Sequence, residues 1–143
     1  MTITALVVNV GEWPKAVVIP TQWDTYRAIQ QAVESEFGDL FDVVSHTVPT
    51  HFHGYVNDSG ILDGLPMNPI ASVMLGQVVC GNVIMFGSLD DKGAFDGDEH
   101  DIPLVVVEAC VRQHLIWQFS AVKAEEVSEV GRELSIILGG EKE

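Results

Sequence analysis

His46, His51 and His53 are the closely spaced residues of this sequence with metal-ligand chemistry. Alternate side chains of an extended strand share a face, so His51 and His53 would point the same way, as two imidazoles must to hold one ion. His46 would approach across the turn at Pro49, and a carboxylate such as Asp58 would complete a zinc site. Against this stands a plainer expectation, that all three are surface strand residues around a turn. Neither HExxH spacing nor paired cysteines accompany them.

The segment Asp90–Asp101 carries six carboxylates, which are suited to hard cations such as calcium or magnesium. It lacks the alternating acids, central glycine and distant glutamate of an EF-hand loop, so a solvated acidic turn is the expectation. Exposed loops seldom desolvate a carboxyl enough for general acid/base work. Gly64-Leu65-Pro66-Met67-Asn68 is a turn whose glycine and proline set the backbone, and the Asn68 amide can serve either its own loop or a ligand. Gly76, Gly81 and Gly87 form neither GxGxxG nor a P-loop. No Ser-His-Asp or Cys-His pairing is legible, since Ser45, His46 and the cysteines lie in apolar contexts.

Glu125, Glu129 and Glu133 recur every fourth residue and would form a negative stripe. Such a stripe is ordinarily the wet face of an amphipathic helix. Together with the acidic loop it could also imitate DNA and occupy a basic groove on another protein.

The elements that must position these residues follow from size and pattern. A chain of 143 residues is one domain by length, with the helices at about 102–138 as an appended or dimerising element. With 47% hydrophobic and 20% charged residues it has a real core, and enough apolar surface to predict a homo-oligomer interface. A formal charge of −14 excludes electrostatic capture of a phosphate backbone, so direct nucleic-acid binding is not expected. Cys80 and Cys110 sit in apolar runs without CxxC spacing and read as small buried hydrophobes of a reducing compartment. The N-terminus lacks a basic n-region, and the longest apolar stretch, Pro103 to Phe119, is too short and too charged to span a bilayer. A soluble, cytoplasmic protein is predicted.

Along the chain, Thr2–Val10 and Lys15–Pro20 are β-branched runs around a Gly-Glu-Trp-Pro turn and predict a hairpin. Thr21 is placed to cap a helix with Trp23, Tyr26, Ile29, Val33 and Phe37 on its apolar face, ended by Gly38. Leu40–Val48 and Phe52–Val56 read as strands, with Asn57-Asp58-Ser59-Gly60 as a tight turn. Gly64, Pro66, Asn68 and Pro69 predict that Ile61–Leu75 has no long regular structure and crosses the surface as an ordered loop. Gln77–Phe86 reads as a buried strand broken at Gly81-Asn82, and Gly87–Asp101 as an acidic loop or second hairpin. A helix begun by Asp101 and Pro103 would gather Val105, Ala109, Arg112 and Ile116 on one side. A last helix over Val122–Leu138 would gather Val127, Val130, Leu134 and Ile137. The fold class is therefore α+β: a small, mostly antiparallel sheet, one helix after the first hairpin and two C-terminal helices.

Three motifs carry a resemblance. Asn57-Asp58-Ser59-Gly60, Gly64-Leu65-Pro66-Met67-Asn68 and Gly81-Asn82-Val83-Ile84-Met85-Phe86-Gly87 follow one another as an acidic glycine turn, a Gly-Leu-Pro-x-Asn box and a glycine-bounded apolar strand. In this order and spacing they resemble the family called domain of unknown function 3846, found mainly in bacteriophages and actinobacteria. With the opening hairpin and helix, the resemblance covers about residues 3–92; the three histidines, the acidic loop beyond residue 92 and the C-terminal helices are not part of it. It implies context more than chemistry: a phage or mobile-element accessory protein acting on a host or defence component or on phage metabolism.

The expected function is accordingly a non-enzymatic accessory domain that binds a host protein or small ligand, without a cofactor, in the host cytoplasm. Asn57, Asp58, Gly64, Leu65, Pro66 and Asn68 are its candidate contact residues. Two alternatives stand beside it: an acidic DNA mimic that inhibits a nucleic-acid-binding protein, and a metal-dependent hydrolase with zinc on His46, His51 and His53.

Overall fold

A computed structural model of the chain describes residues 2–34, 41–46, 51–57, 64–111 and 121–139; for 41–46, 109–111 and 134–139 the description is of the backbone alone. The first two apolar runs form strands β1 (Ile3–Val8) and β2 (Lys15–Ile19), paired antiparallel from Ile3↔Ile19 to Val7↔Lys15. Strand β3 (Phe41–His46) and β4 (Phe52–Asn57) make a second antiparallel pair, and β5 (Val83–Gly87) joins the two hairpins. The five-stranded sheet has the order β2-β1-β5-β4-β3, with every pairing antiparallel.

Both sheet faces are covered, which explains why β1 and β5 are apolar on nearly every residue and not only on alternate ones. On one face Leu6, Val8, Phe52, Val83 and Met85 pack against helix α2 (Pro69–Leu75) together with Ile102 and Val106. On the other face Ile3, Ala5, Val7, Ile84 and Phe86 pack against Ile29 of helix α1 (Thr25–Val33). Helices α3 (Leu104–Val111) and α4 (Val127–Gly139) complete the described elements. Val127 is buried and Val130 packs against the α2 cluster. Gly131 lets α4 approach so closely that a Cβ there would lie 2.8 Å from the Val73 carbonyl oxygen.

The α+β class, the opening hairpin, the helix after it and the C-terminal helices agree with the sequence reading. Several local expectations do not. Thr21 gives no side-chain cap; its hydroxyl donates to Asp24 Oδ2 (2.9 Å) across a 3-10 turn at Gln22–Asp24. That turn winds faster than an α-helix and shifts the phase. Trp23 is therefore 93% exposed, and Thr25, Ile29 and Val33 form the buried face. The helix stops with Glu34 in the left-handed region (φ 58°); Phe37 and Gly38 lie outside the described residues.

Asn57 closes strand β4 opposite Phe41, and Asp58, Ser59 and Gly60 of the expected turn lie outside the described residues. The predicted surface loop contains α2, a helix in which Ile70 through Leu75 are all buried. Pro69 stands at its first turn, where a missing N–H costs nothing, and Asn68 caps it. The strand expected from Gln77 starts only at Val83; before it, Cys80 forms an isolated bridge to Met67. In α3 Val106 is buried, together with Ile102 just before the helix, whereas Leu104 and Val105 are exposed. A stretch apolar all round, LVVVEACV, has no periodicity to fix which side turns inward. Arg112 and Ile116 lie outside the described residues. In the last segment a 3-10 turn at Ala124–Glu126 precedes α4, and Glu125, Glu129 and Glu133 are exposed. Among the described residues no helix is long and apolar enough to cross a membrane.

Candidate functional site

Strand β4 places His53 and Tyr55 on the α1 face of the sheet, and its register sets His53 opposite Phe86 of β5. Ser88, two residues beyond Phe86, comes onto the same side by the period of two. The His53 ring stacks on Phe86, with centroids 6.3 Å apart and planes 26° off parallel, and meets Tyr55 edge-on at 5.4 Å. Four side chains, from β4, β5 and the residue just after β5, thus converge where the sequence shows only an alternation.

The acidic segment supplies the remaining member. Its end is stitched to the sheet: Gly87 N–H donates to His100 O (2.8 Å), His100 N–H to Gly87 O (3.2 Å), Ile102 N–H to Thr4 O (2.8 Å) and Thr4 N–H to Asp101 Oδ1 (2.8 Å). This holds Glu99 over His53, with Oε1 2.6 Å from Nε2, while Oε2 accepts the Tyr55 hydroxyl. On the other ring nitrogen, Nδ1 lies 2.8 Å from Ser88 Oγ. The His53 and Glu99 side chains retain 12% and 13% of their exposure, so the pair is largely desolvated. Burial first, then the hydrogen bond and charge of Glu99, raise the Tyr55 hydroxyl above its ordinary value.

The sign of that shift gives a test. A tyrosine that keeps its proton longer folded than unfolded contributes stability below about pH 10, the free value, and loses it progressively above. Tyr55→Phe is therefore expected to flatten the alkaline fall in stability between about pH 9 and about pH 12, followed by urea midpoints. An unchanged alkaline slope in the variant would refute the Tyr55–Glu99 contact.

The rest of the acidic loop is built on its own carboxylates. Asp90 Oδ1 accepts from Lys92 N and Ala94 N (both 2.9 Å), and Asp96 Oδ1 accepts from Asp98 N (3.0 Å) and lies 2.7 Å from His100 Nε2. The His100 contact leads the causes that hold the Asp96 carboxyl below its usual value. Between this loop, the start of β1 and Gln22 opens a cavity of about 720 Å³, lined by Asp90, Asp91, Asp98, Glu99 and Asp101 among others.

The proposed zinc ligands are distributed as follows. The β3–β4 register sets His46 opposite Phe52 and His53 opposite Ser45, so positions 46 and 53 are out of step. Both ring nitrogens of His53 are engaged by Ser88 and Glu99, and an ion would have to displace one of them. His51 packs edge-on against Phe95, and its Nδ1 is buried without a hydrogen-bond partner among the described residues. Among the described residues no group of three or more His, Cys, Asp or Glu could hold a metal.

Of the candidate contact residues, Gly64 and Pro66 are exposed, Asn57 is in the sheet, and Leu65 packs beneath Gly81. Asn68 is 1% exposed and bonded throughout: its amide nitrogen donates to Val8 O (2.8 Å) and Gly81 O (3.0 Å), and its Oδ1 accepts from Ala71 N (3.2 Å). This side chain serves its own loop. Tyr55, Ser88 and Glu99 escaped the sequence reading, which found no serine-histidine-acid pairing. The alternations His53-x-Tyr55 and Phe86-x-Ser88 were the available signal, but they say nothing of which strands pair.

The family model described as Domain of unknown function (DUF3846) matches residues 1–104. The match spans all five strands and the acidic loop, and so includes His53, Tyr55, Ser88 and Glu99. No curated protein and no solved structure matches the chain.

Proposed function

The chain belongs to the DUF3846 family, and from that premise we propose that it is a binding domain whose partner is basic, seated on the acidic loop and the cavity beneath it. One observation carries the reading: in a chain of net charge −14, a sheet-anchored loop contributes its acidic residues to the lining of a cavity large enough for a cationic side chain or small cation. A host protein acted on by a phage or mobile-element product, in the host cytoplasm, is the partner this chemistry suits. Gly64 and Pro66 offer a second, neutral contact surface. Self-association as a homodimer belongs to the same reading, supported by exposed Val18 on the edge strand β2 and exposed Leu104 on α3.

The DNA-mimic reading has its own support in the exposure of Glu125, Glu129 and Glu133. These residues lie beyond the matched part of the chain, so truncation of α4 separates the two readings. For the first, affinity for a partner captured from host lysate is expected to fall by roughly tenfold or more between low and moderate salt, as the Debye length shrinks from about 30 Å to about 8 Å. The double substitution Asp91→Asn and Asp98→Asn should weaken it similarly. Binding indifferent to both changes would refute a charge-led interaction at this loop.

A further inference from the structure

The His53 contacts have a chemical direction that recognition does not use. Glu99 accepts the Tyr55 hydroxyl's hydrogen bond at Oε2 and faces Nε2 with Oε1, so as a carboxylate it can only accept from that nitrogen. Assigned from this bonding pattern, the neutral ring carries its proton on Nε2 and presents a lone pair at Nδ1. Among the described residues the group at Nδ1 is the Ser88 hydroxyl, at 2.8 Å. A hydroxyl aimed at the free nitrogen of an imidazole whose other nitrogen is held by a carboxylate is the arrangement that activates a serine. The ring nitrogens are reversed relative to the usual triad, which the proton transfer tolerates because either nitrogen can serve as base.

We propose that Ser88 is a base-activated nucleophile that takes the acyl group of small, positively charged esters. The Ser88 Oγ lone pair attacks the ester carbonyl carbon while its proton passes to His53 Nδ1. The C–O bond to the leaving group breaks, and the departing oxygen takes that proton. Water, deprotonated by the same nitrogen, then hydrolyses the acyl-serine and returns the acid and the free hydroxyl. His53 and Ser88 are the catalytic residues; Glu99 and Tyr55 are positioning residues that fix the tautomer and the ring. Ser88 is partly exposed, and the acidic cavity begins at the next residue, Leu89, and shares Glu99. Its carboxylates favour a cationic acyl group and repel an anionic one.

The test uses the full chain with three p-nitrophenyl esters: the cationic 4-guanidinobenzoate, the neutral acetate and the anionic succinate. A stoichiometric burst of nitrophenol and an acyl adduct mapped to the peptide holding Ser88 are expected, fastest with the cationic ester. Ser88→Ala should abolish the adduct, Ser88→Cys should restore one, and His53→Gln should slow it by about a hundredfold. Glu99→Gln should slow it while leaving Ser88→Cys labelling by a neutral alkylating agent unchanged in extent. A purely structural network would instead shift the melting temperatures of these variants with no adduct in the wild type. No Ser88 adduct with any of the three esters in the folded wild-type protein, or an equal adduct in Ser88→Ala, would overturn the proposal. An adduct on Ser88 that forms fastest with the anionic ester would overturn the substrate class.

Discussion

Asn68→Ala is expected to lower the free energy of unfolding by about 3 kcal/mol, because it removes a buried helix cap and strands buried partners at once. The Asn68 amide joins three places: the end of β1 through Val8 O, the approach to β5 through Gly81 O, and the first turn of α2 through Ala71 N. Its backbone is tied as well, donating to Val79 O (2.9 Å) and accepting from Ser72 N (2.9 Å). Asn68→Asp is the discriminating variant. Aspartate caps an isolated helix as well as asparagine does, but it has no N–H to offer the two carbonyls and would bury a charge beside them. The expected order in urea denaturation is therefore asparagine, then alanine, with aspartate no better than alanine at neutral pH. An Asn68→Asp protein within about 1 kcal/mol of wild type would show that the donor bonds contribute little.

Gly87→Ala is expected to free the acidic loop from the sheet. A Cβ at this position would stand 2.0 Å from the Asp101 carbonyl oxygen and 2.9 Å from its carbon, and backbone cannot retreat as a side chain can. Gly87 and His100 exchange both hydrogen bonds of an isolated bridge, so the added methyl forces apart the contact that presents Glu99 to His53. We expect a loss of about 3 kcal/mol, faster amide exchange at Gly87 and His100, and loss of Ser88 acylation. Gly93→Ala is the control: its φ of +83° makes alanine strained there, but nothing lies within 4 Å of the added carbon. That change should cost about 1–2 kcal/mol of local conformational energy and leave exchange at His100 untouched. Full protection of the His100 amide in Gly87→Ala would mean that the loop end does not approach β5 as closely as described.

The opening hairpin and the helix after it are legible because their causes are local. Ile3–Val8 and Lys15–Ile19 are β-branched runs separated by turn residues, and Ile29 and Val33 recur at helical spacing. Such signals need no knowledge of the rest of the chain. Phase was harder: one 3-10 turn at Gln22–Asp24 moved Trp23 from the expected apolar face into solvent. Prolines and glycines misled at 64–75 because Pro69 breaks a helix only in its interior, and here it stands at the start. The motif offers the Asn68 amide to its own loop or to a ligand, but its partners Val8 and Gly81 are distant in sequence or in a neighbouring loop.

By itself the sequence determined the α+β class, the opening hairpin with the helix after it, the strongly acidic composition and a resemblance that the family match upholds. Only the tertiary structure decided which side chains meet. Ser88 and Glu99 lie 35 and 46 residues from the His53 they flank, and they reach it through strand register and a loop folded back on the sheet. Register depends on the pairing of β4 with β5, set by burial on both faces at once, and burial of that kind is a property of the assembled layers that no stretch of sequence carries alone.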